Sequence, residues 1–342
     1  MSTLTASTPL NMENAVCAVC GDKAVSAPVV ASGLDFEYDT SGDTFTMVDC
    51  PLCHTLYLNP RPTAAELSRI YPANYYSYNY DSAISPLAVK AKDFLDKRKT
   101  RGWLKHVSTK ELRFLDVGCG NGRNLQILAE LGYARQNLYG MEINGDTVER
   151  IRKQGFNGVQ GRVEEAAKDL EAASFDLIVL LQVLEHVGSP QAVIESLAKL
   201  LKPGGVLVVE TPNSKSLDVD LFRKRYWGGY HFPRHWYIFN PDNLEKLAAA
   251  AGLTVKEVNY LPAQSFWIYS LHHIVKEKIA IPWVVRLFNP FQNLLLLSLF
   301  TSFDIVRAKL GAKTSNMQMI LLRKTTPATG LTVPVVNTTF PS

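Results

Sequence analysis

The sequence contains no apolar run long enough to cross a bilayer as a helix, which takes roughly 18–20 residues. Its richest candidate, Leu294–Phe303, is too short. The polar segment Met1–Asn14 lacks both the basic start and the apolar core of a signal peptide, so nothing in the sequence indicates export. We therefore expect a cytoplasmic protein.

An excess of charge of one sign is also missing. The formal net charge is +4 over 342 residues, and the basic side chains do not concentrate into a stripe, apart from short clusters such as Lys97–Lys99. Because a nucleic-acid-binding surface needs such a concentration, no nucleic-acid partner is expected. With 46% hydrophobic residues, the chain can bury one large core and a smaller module.

Cysteine is scarce, but its placement is informative. Four of the five cysteines form two Cys-x-x-Cys pairs, Cys17 with Cys20 and Cys50 with Cys53. In a reducing compartment such pairs indicate a metal site rather than disulfides. Four thiolates suit tetrahedral zinc, and a closed four-sulfur site leaves no open position for catalysis, so we predict a structural role. His54 is expected to be a solvent or packing residue.

The pattern along the chain divides it into five regions. We predict a disordered tail over residues 1–14, a zinc-ribbon module over 15–62, a helical connector or lid over 63–108, a large α/β domain over 109–324 with a helical insertion at about 263–314, and a disordered tail over 325–342. Tyrosines cluster between Tyr71 and Tyr80, and this cluster is compatible with a lid or with ordinary connector packing.

Apolar strand-like runs alternate with helical patterns in the large domain, which predicts a parallel sheet with helices on both faces. The predicted strands are Phe114–Val117, Leu138–Met141, Gly158–Gln160, Phe175–Leu181, Val206–Glu210, Leu253–Tyr260 and Asn316–Arg323. The insertion before the last strand is apolar and aromatic, and its length is unusual for a compact domain. We therefore expect it to have a functional role.

A glycine-rich turn follows the first of these strands. Gly118, Gly120 and Gly122 stand directly after it and precede a helical pattern. Glycine permits a tight turn and lets a ligand approach backbone N–H groups at a helix N-terminus. Glu142 ends the next strand about twenty residues later, where a carboxylate can accept both hydroxyls of a ribose. These features are compatible with any adenosine-bearing cofactor, and the three-glycine spacing after Asp116 favours S-adenosylmethionine (SAM) over a nicotinamide nucleotide.

This series resembles the class I SAM-dependent methyltransferases over roughly Glu111–Lys324. The matching motifs are Leu115–Gly122, the ribose-binding strand end Tyr139–Ile143, the adenine turn Gln160–Glu164, the segment Leu181–Val187 beneath the methionine part, and the helix-to-strand turn Leu200–Leu207. The resemblance implies a Rossmann-like α/β sheet, here joined to a small N-terminal zinc ribbon.

The resemblance also implies a set of SAM contacts. These residues are Asp116, Gly118, Gly120, Gly122, Glu142, Ile143, Arg162, Val163 and Gln182. At one position the sequence departs from the family, because the adenine turn commonly carries an acidic residue and here reads Arg162. The adenine contact would then come from the backbone at Val163 or from stacking on Arg162.

The segment Trp227–Tyr237 carries the candidate acceptor residues. His231 and His235 are the predicted catalytic bases, which the sequence does not separate, and Arg234 could hold a phosphate or carboxylate. His186, close to the cofactor motif, is a third candidate base. The alternative is that the aromatic side chains pack the sheet edge while the histidines bond local carbonyl groups.

A zinc ribbon joined to a class I core is similar to bacterial enzymes that methylate nucleotide-linked sugars. We therefore predict O- or C-methylation of a small-molecule acceptor, foremost a sugar nucleotide or a related glycan or metabolite. A membrane lipid or quinone acceptor is the alternative, with peripheral contact at the inner membrane surface through Leu294–Phe303; the apolar insertion would otherwise cap the acceptor. A catalytically silent scaffold is the non-enzymatic alternative, and the oligomeric state is not indicated.

Overall fold

The N-terminal module is a small antiparallel ribbon, seen in a computed structural model that describes residues 8–21, 27–72, 86–289 and 293–325. Its strands are β1 (Met12–Glu13), β2 (Val29–Gly33), β3 (Phe45–Asp49), β4 (Leu56–Leu58) and β5 (Arg61–Pro62). Strands β2, β3 and β4 form one antiparallel sheet, and β1 pairs with β5.

Part of the predicted N-terminal tail is ordered. Leu10 is buried and its N–H donates to the carboxylate of Asp43 at 2.9 Å, while the Asn11 N–H donates to Glu66 at 3.1 Å. Disorder over residues 1–14 therefore does not hold for 8–14, because this segment pairs with the end of the ribbon. Residues 1–7 and 326–342 lie outside the described residues.

The connector contains two helices, α1 (Leu67–Ile70) and α2 (Pro86–Leu104). Helix α2 packs against α3 (Arg123–Glu130), where Lys97 lies 2.9 Å from Glu130. Tyr71 is described, but the remainder of the tyrosine cluster proposed as a lid lies outside the described residues.

A seven-stranded sheet forms the large domain. Its strands are β6 (Phe114–Val117), β7 (Leu138–Glu142), β8 (Asn157–Gln160), β9 (Phe175–Leu181), β10 (Leu201–Pro212), β12 (Leu253–Leu261) and β13 (Asn316–Arg323), in the order β12-β13-β10-β9-β6-β7-β8. The five strands from β10 to β8 are parallel, and β13 runs antiparallel to both of its neighbours.

Helices cover both faces of this sheet. They include α4 (Gly145–Lys153), α5 (Val163–Ala166), α6 (Pro190–Leu200), α7 (Leu217–Phe222) and α8 (Pro241–Ala250). Alternate residues of β9 enter two different cores: Ile178 packs with α6 and α8, whereas Leu177 and Val179 pack with α3. The predicted α/β fold is confirmed, because only a sheet covered on both faces buries successive residues in this way.

The last strand departs from the parallel pattern that the sequence predicted. Leu261 at the end of β12 lies opposite Asn316 at the start of β13, and Asn316 also pairs with Pro212 at the end of β10. The helical insertion therefore begins and ends on the same side of the sheet, at the carboxyl ends of the parallel strands. Because β13 starts on the side where β12 ends, the two strands run antiparallel. The alternation of strands and helices in the sequence does not reveal this.

The insertion consists of α9 (Gln264–Lys278), α10 (Pro282–Leu287) and α11 (Leu294–Lys309). Trp267 of α9 stacks on Phe300 of α11 with ring centroids 5.4 Å apart. The buried carboxylate of Asp304 accepts from the Ala263 N–H at 2.9 Å, which fixes α11 against the start of α9. Among the helices of the described ranges, none combines the length and the apolar character needed to span a membrane.

The ribbon is joined to the large domain by backbone pairing. A short strand, β11 (Tyr237–Ile238), extends the ribbon sheet by pairing antiparallel with β4. The Leu58 N–H also donates to the Trp236 carbonyl at 2.9 Å. Because β11 directly follows the histidine-rich segment, the ribbon is attached to the chain that carries the candidate bases.

Candidate active site

The glycine loop sits at the carboxyl end of β6 and opens α3. Gly118, Gly120 and Gly122 all have positive φ angles, of 70°, 49° and 78°. A Cβ placed on Gly118 would lie 2.5 Å from Cγ2 of Val183, so a larger side chain would collide with the turn after β9. The loop therefore brings the ends of two neighbouring strands into contact. Its backbone is held by hydrogen bonds from the Gly118 and Cys119 N–H groups to the Met141 carbonyl, at 2.9 Å and 3.1 Å.

Two acidic side chains flank this loop. Glu142, at the end of β7, accepts from the Gly120 N–H at 3.1 Å and from the Ile143 N–H at 2.8 Å. Asp116, inside β6, is buried and accepts from Nδ2 of Asn124 at 3.0 Å. Burial raises the pKa of Asp116 to about 7. Glu142 thus lies beside the loop, where a ribose would bind. Asp116 instead stabilises the start of α3 through its hydrogen bond with Asn124.

The other predicted SAM residues lie along the same edge. Ile143 is exposed directly after Glu142, and Arg162 and Val163 begin α5 after β8. The Arg162 guanidinium lies 3.4 Å from Glu164, and Val163 is buried. The structure therefore gathers the predicted contacts at the ends of the adjacent strands β8, β7, β6 and β9.

Gln182 belongs to a buried polar network that the sequence did not indicate. It follows β9 with a φ of 54°, an unusual conformation for a residue other than glycine that often marks a functional position. Its amide donates to Asn316 at 3.0 Å, and Asn316 donates to Glu210 at 3.2 Å. Lys99 of α2 lies 3.4 Å from Glu210, so the connector helix contributes a cation to this edge.

The four predicted zinc ligands meet at one point. The Sγ atoms of Cys17, Cys20, Cys50 and Cys53 all lie within 4.8 Å of one another, with 3.4 Å between Cys17 and Cys53. A zinc ion with four Zn–S bonds of about 2.3 Å requires sulfur atoms about 3.8 Å apart. The cluster therefore fits a tetrahedral four-thiolate metal site.

Both cysteine pairs fold into the same knuckle turn. The residue after each pair, Gly21 or His54, has a positive φ angle and donates its N–H to the carbonyl of the first cysteine, at 2.8 Å and 2.9 Å. The His54 ring is exposed, and its Nδ1 lies 3.3 Å from Asp49. A left-handed residue is needed here, which explains the glycine after Cys20.

Three histidines form a compact cluster beside the turn after β9, in which His231 and His235 are buried and His186 is partly buried. The ring centroids of His186 and His235 are 4.6 Å apart, and those of His231 and His235 are 4.9 Å apart. The backbone N–H of Trp236 donates to the carbonyl of Glu185 at 2.8 Å. This bond attaches the segment Trp227–Tyr237, called the acceptor segment below, to this turn. All three candidate bases are thus held next to the predicted cofactor edge.

Each histidine has a different partner at Nδ1. For His231 it is Oε1 of Glu37 at 2.8 Å, and for His235 it is the Gly229 carbonyl oxygen at 2.7 Å. His186 lies 3.0 Å from both the Tyr71 hydroxyl and the Arg234 carbonyl.

Burial governs the charge of the groups around the cluster. It lowers the pKa of His186 to about 3 and holds the pKa of His235 well below its usual value, an effect that His186 and His231 reinforce at His235. Burial also raises the pKa of Glu185 to about 8. His186 and His235 are therefore neutral near neutral pH.

Arg234 is not placed to hold a phosphate, as the sequence had suggested. Its guanidinium donates to both carboxylate oxygens of Asp35, at 3.0 Å and 2.8 Å, and both side chains are fully buried. It also stacks over the Tyr38 ring at 4.4 Å. Arg234 thus anchors the ribbon loop between β2 and β3 to the acceptor segment.

That loop supplies two site residues which sequence reasoning missed, Asp35 and Glu37. They stand in the polar stretch Asp35–Asp39, which has no motif and lies almost two hundred residues before their partners. Two features of the folded chain explain why they lie at the site: the pairing of β11 with the ribbon and the ion pair of Asp35 with the fully buried Arg234. The sequence signal that could have found them was the arginine within an otherwise aromatic segment, since a buried arginine requires an acidic partner.

The model of a family described as "Methyltransferase domain" matches residues 80–258. Ubiquinone biosynthesis O-methyltransferases of Chelativorans sp. and Parvibaculum lavamentivorans are 32% and 35% identical over 169 and 173 residues. These matches cover 46% and 47% of this chain, and about two thirds of each relative, 65% and 67%.

Solved structures with a similar fold include a SAM-dependent methyltransferase of Archaeoglobus fulgidus, with a TM-score of 0.45 and 18% identity over 68% of this chain and 94% of the other. The 1,6-didemethyltoxoflavin-N1-methyltransferase of Burkholderia thailandensis has a TM-score of 0.47 and 14% identity over 84% of this chain and 98% of the other.

Proposed function

Because the chain belongs to the class I SAM-dependent methyltransferases, we propose that it methylates a hydroxyl oxygen of a quinone precursor, an aromatic small molecule with a lipid tail. The observation that carries this proposal is the likeness to the two ubiquinone biosynthesis O-methyltransferases. A quinone acceptor, the alternative at the sequence level, is thus better supported than a sugar nucleotide.

The buried pair of Asp35 and Arg234 also argues against a sugar nucleotide. A diphosphate ligand needs cationic or N–H donors, and the arginine nearest the histidines already gives two hydrogen bonds to Asp35. A phenolic hydroxyl instead needs an apolar, aromatic environment and a base. The segment around His231 and His235, which also holds Trp227, Tyr230 and Phe232 in the buried core, fits that requirement.

The residues of the chain perform three tasks in such a reaction. Bound SAM supplies an electrophilic methyl group on a sulfonium. Glu142 and the loop from Gly118 to Gly122 hold the ribose and the methionine part at the strand ends. The buried histidine cluster aligns the acceptor and excludes water, and one imidazole takes the hydroxyl proton as the oxygen forms its bond to the methyl carbon.

An acceptor comparison tests the proposal. Zinc-loaded protein is incubated with SAM carrying a radiolabelled methyl group and either a polyprenylated catechol or a nucleoside-diphosphate sugar. We expect the label in the methyl group of a new methyl ether on the catechol and none in the sugar. Transfer to the sugar alone would overturn the quinone assignment, and transfer to neither by protein that binds S-adenosylhomocysteine would overturn both acceptor classes.

The insertion fits an acceptor that is reached from a membrane surface. Trp283 and Leu295 are 68% and 78% exposed, and further exposed apolar side chains surround them: Leu287, Leu294, Leu299, Phe303, Val306 and Leu310. Basic side chains end all three helices. The two acidic residues of these helices are engaged, Glu277 with Arg225 and Asp304 within the fold. Apolar side chains bordered by positive charge suit contact with anionic lipid.

Vesicle flotation tests this contact. We expect the protein to float with vesicles that contain anionic lipid, and the double variant Trp283→Ser/Leu295→Ser to remain in the dense fraction. Phe94→Ser is the matched control, since Phe94 is 63% exposed on α2, which packs against α3. Equal flotation of all three proteins, or none by the wild type, would contradict the membrane contact.

The four cysteines are assigned to structural zinc on their geometry and chemistry. Zinc in this position would fix both knuckles and therefore the sheet that β11 extends. It lies outside the histidine cluster and supplies no catalytic step.

A further inference from the structure

The loop between β2 and β3 reaches from the zinc ribbon into the histidine cluster. The Glu37 side chain is only 3% exposed, and its Oε1 lies 2.8 Å from Nδ1 of His231. The same oxygen lies 3.8 Å from Nε2 of His273, on helix α9 of the insertion. Asp35, two residues earlier, is clamped to Arg234. The ribbon, the acceptor segment and the insertion thus converge on one carboxylate.

Glu37 is ionised in this position. Burial raises the pKa of its carboxyl, but the attraction of His231, His273 and Arg234 outweighs burial and brings the pKa below its usual value. Neither oxygen of the Glu37 carboxylate has a hydrogen bond of regular geometry among the described residues, so its contact with His231 is a close ion pair. A buried carboxylate is costly unless it serves a partner, and here the nearest partner is the imidazole of His231.

The contact determines where the proton sits on His231. A nitrogen lone pair and a carboxylate oxygen 2.8 Å apart repel each other, so the contact favours hydrogen on Nδ1. The lone pair of the neutral ring is then on Nε2, the atom opposite Glu37. When Nε2 accepts a proton, the resulting imidazolium faces a carboxylate that stabilises it, as carboxylate–histidine pairs do in other active sites.

His235 is held differently. Its Nδ1–H donates to a neutral carbonyl, that of Gly229, and no carboxylate compensates a positive charge on its ring among its hydrogen bonds. Three groups around it, His186, His231 and Arg234, disfavour a second cation. Glu185 places a carboxyl oxygen within 4.8 Å of a ring nitrogen of His235, but burial raises the pKa of Glu185 to about 8, so it is protonated near neutral pH. The two histidines that the sequence leaves equivalent are therefore different in the folded protein.

We infer that Glu37 is a positioning residue supplied by the zinc ribbon, and that it makes His231, rather than His235, the base of the reaction. This inference rests on the proposed methyl transfer to a hydroxyl oxygen. In the reaction the acceptor oxygen bonds to the methyl carbon, the carbon–sulfur bond breaks to release S-adenosylhomocysteine, and the hydroxyl proton moves to Nε2 of His231.

The first test is the tautomer of His231, which needs no acceptor. Long-range ¹H–¹⁵N spectra of protein labelled at its histidines show which ring nitrogen carries hydrogen, and the His231 signals are those absent from His231→Asn. We expect Nδ1–H in the wild type and loss of this preference in Glu37→Leu. Hydrogen on Nε2 of neutral His231 in the wild type, or an unchanged tautomer in Glu37→Leu, would overturn the inference.

The second test is kinetic and uses the polyprenylated catechol. We expect Glu37→Gln and His231→Asn to lower kcat by at least about a hundredfold, the lower end for a lost general base, with an unchanged KM for SAM. His235→Asn should retain more activity than His231→Asn, and the reverse order would overturn the assignment. Asp39→Asn is the matched control, because this exposed residue of the same loop pairs with Lys276 outside the cluster.

Two outcomes separate this inference from the proposed function. Calorimetric binding of S-adenosylhomocysteine with wild-type affinity shows that Glu37→Gln and Glu37→Leu are folded. If the wild type methylates no catechol but shows the Nδ1–H tautomer, the acceptor assignment fails while the placement of Glu37 stands. If it methylates the catechol and Glu37→Gln is fully active, Glu37 is not a positioning residue.

Discussion

Breaking the buried ion pair between Asp35 and Arg234 should cost a large share of the stability of the protein. Both side chains are fully buried and joined by two hydrogen bonds. Removing one partner of such a pair leaves an uncompensated buried charge and costs about 3–5 kcal/mol. Because whole domains are stable by only about 5–15 kcal/mol, we expect Arg234→Met to lower the free energy of unfolding by about a fifth or more.

A double-mutant cycle isolates the pair. Asp35→Asn keeps the size of the side chain and its ability to accept from the Tyr38 N–H, which now lies 3.1 Å from Asp35. We expect each single variant to lose about 3–5 kcal/mol, and the double variant to lose less than the sum, because it leaves no charge unpaired. Asp39→Asn removes an exposed ion pair of the same loop and should cost at most about 1 kcal/mol.

The assay is urea unfolding of zinc-loaded protein at neutral pH, followed by tryptophan fluorescence. The pH matters because Asp35 is stabilised as a carboxylate: burial raises its pKa, but the hydrogen bonds and charge of Arg234 lower it below its usual value. Its contribution is present above the pKa of the unfolded chain and is lost as the pH falls through the folded value. Strict additivity, or a loss below about 1 kcal/mol for Arg234→Met, would refute the reasoning.

Two further predictions concern pH and metal. Burial raises the pKa of Glu185 from 4.5 to about 8, so the folded protein keeps a proton that the unfolded chain releases, and the stability from this group falls as the pH rises between these values. Glu185→Gln should flatten the fall of Tm over that range, and a slope equal to that of the wild type would contradict the assignment. Removal of zinc with a chelator should abolish transfer to the catechol, because β4 of the ribbon holds β11 beside the histidines. The affinity for S-adenosylhomocysteine, measured by calorimetry, should stay within about threefold, since the predicted SAM contacts lie on strands outside the ribbon. Retention of full transfer activity without zinc would contradict the role of the ribbon.

Local sequence patterns predicted the parts of the site that are built from neighbouring residues. The glycine loop, Glu142 and both cysteine knuckles each occupy one short segment, and turn chemistry alone determines their geometry. The strands Phe114–Val117 and Phe175–Leu181 also have the predicted bounds, because long apolar runs between turn residues have few alternatives.

Contacts between distant segments were not predictable in the same way. Glu37 and His231 are brought together only by the ribbon sheet and its added strand β11, and a two-residue strand such as Tyr237–Ile238 has no periodic signal. The assignment of Arg234 to a phosphate was reasonable for an arginine beside histidines. It does not hold because Asp35, far away in sequence, neutralises that arginine.

The helical insertion is a second case in which the sequence did not determine the contacts between distant segments. Its apolar composition predicted either a buried cap or a surface for lipid, and in the folded chain some of its helices are buried while others expose apolar side chains. Helix α9 covers the acceptor segment, where Ser270 accepts from the Gly228 N–H at 2.9 Å, while α10 and α11 expose apolar side chains. Composition could not assign the two roles, because both need the same residues.

Calorimetric titration of zinc-loaded protein with S-adenosylhomocysteine tests most directly whether the glycine loop and Glu142 form a SAM site. We predict one ligand per chain for the wild type. Glu142→Ala should bind at least about a hundredfold more weakly, since it loses two hydrogen bonds from ribose hydroxyls to a carboxylate, each worth about 1.5–3 kcal/mol. Absence of binding by folded wild-type protein would contradict the account, and an unchanged affinity of Glu142→Ala would remove Glu142 from the ribose.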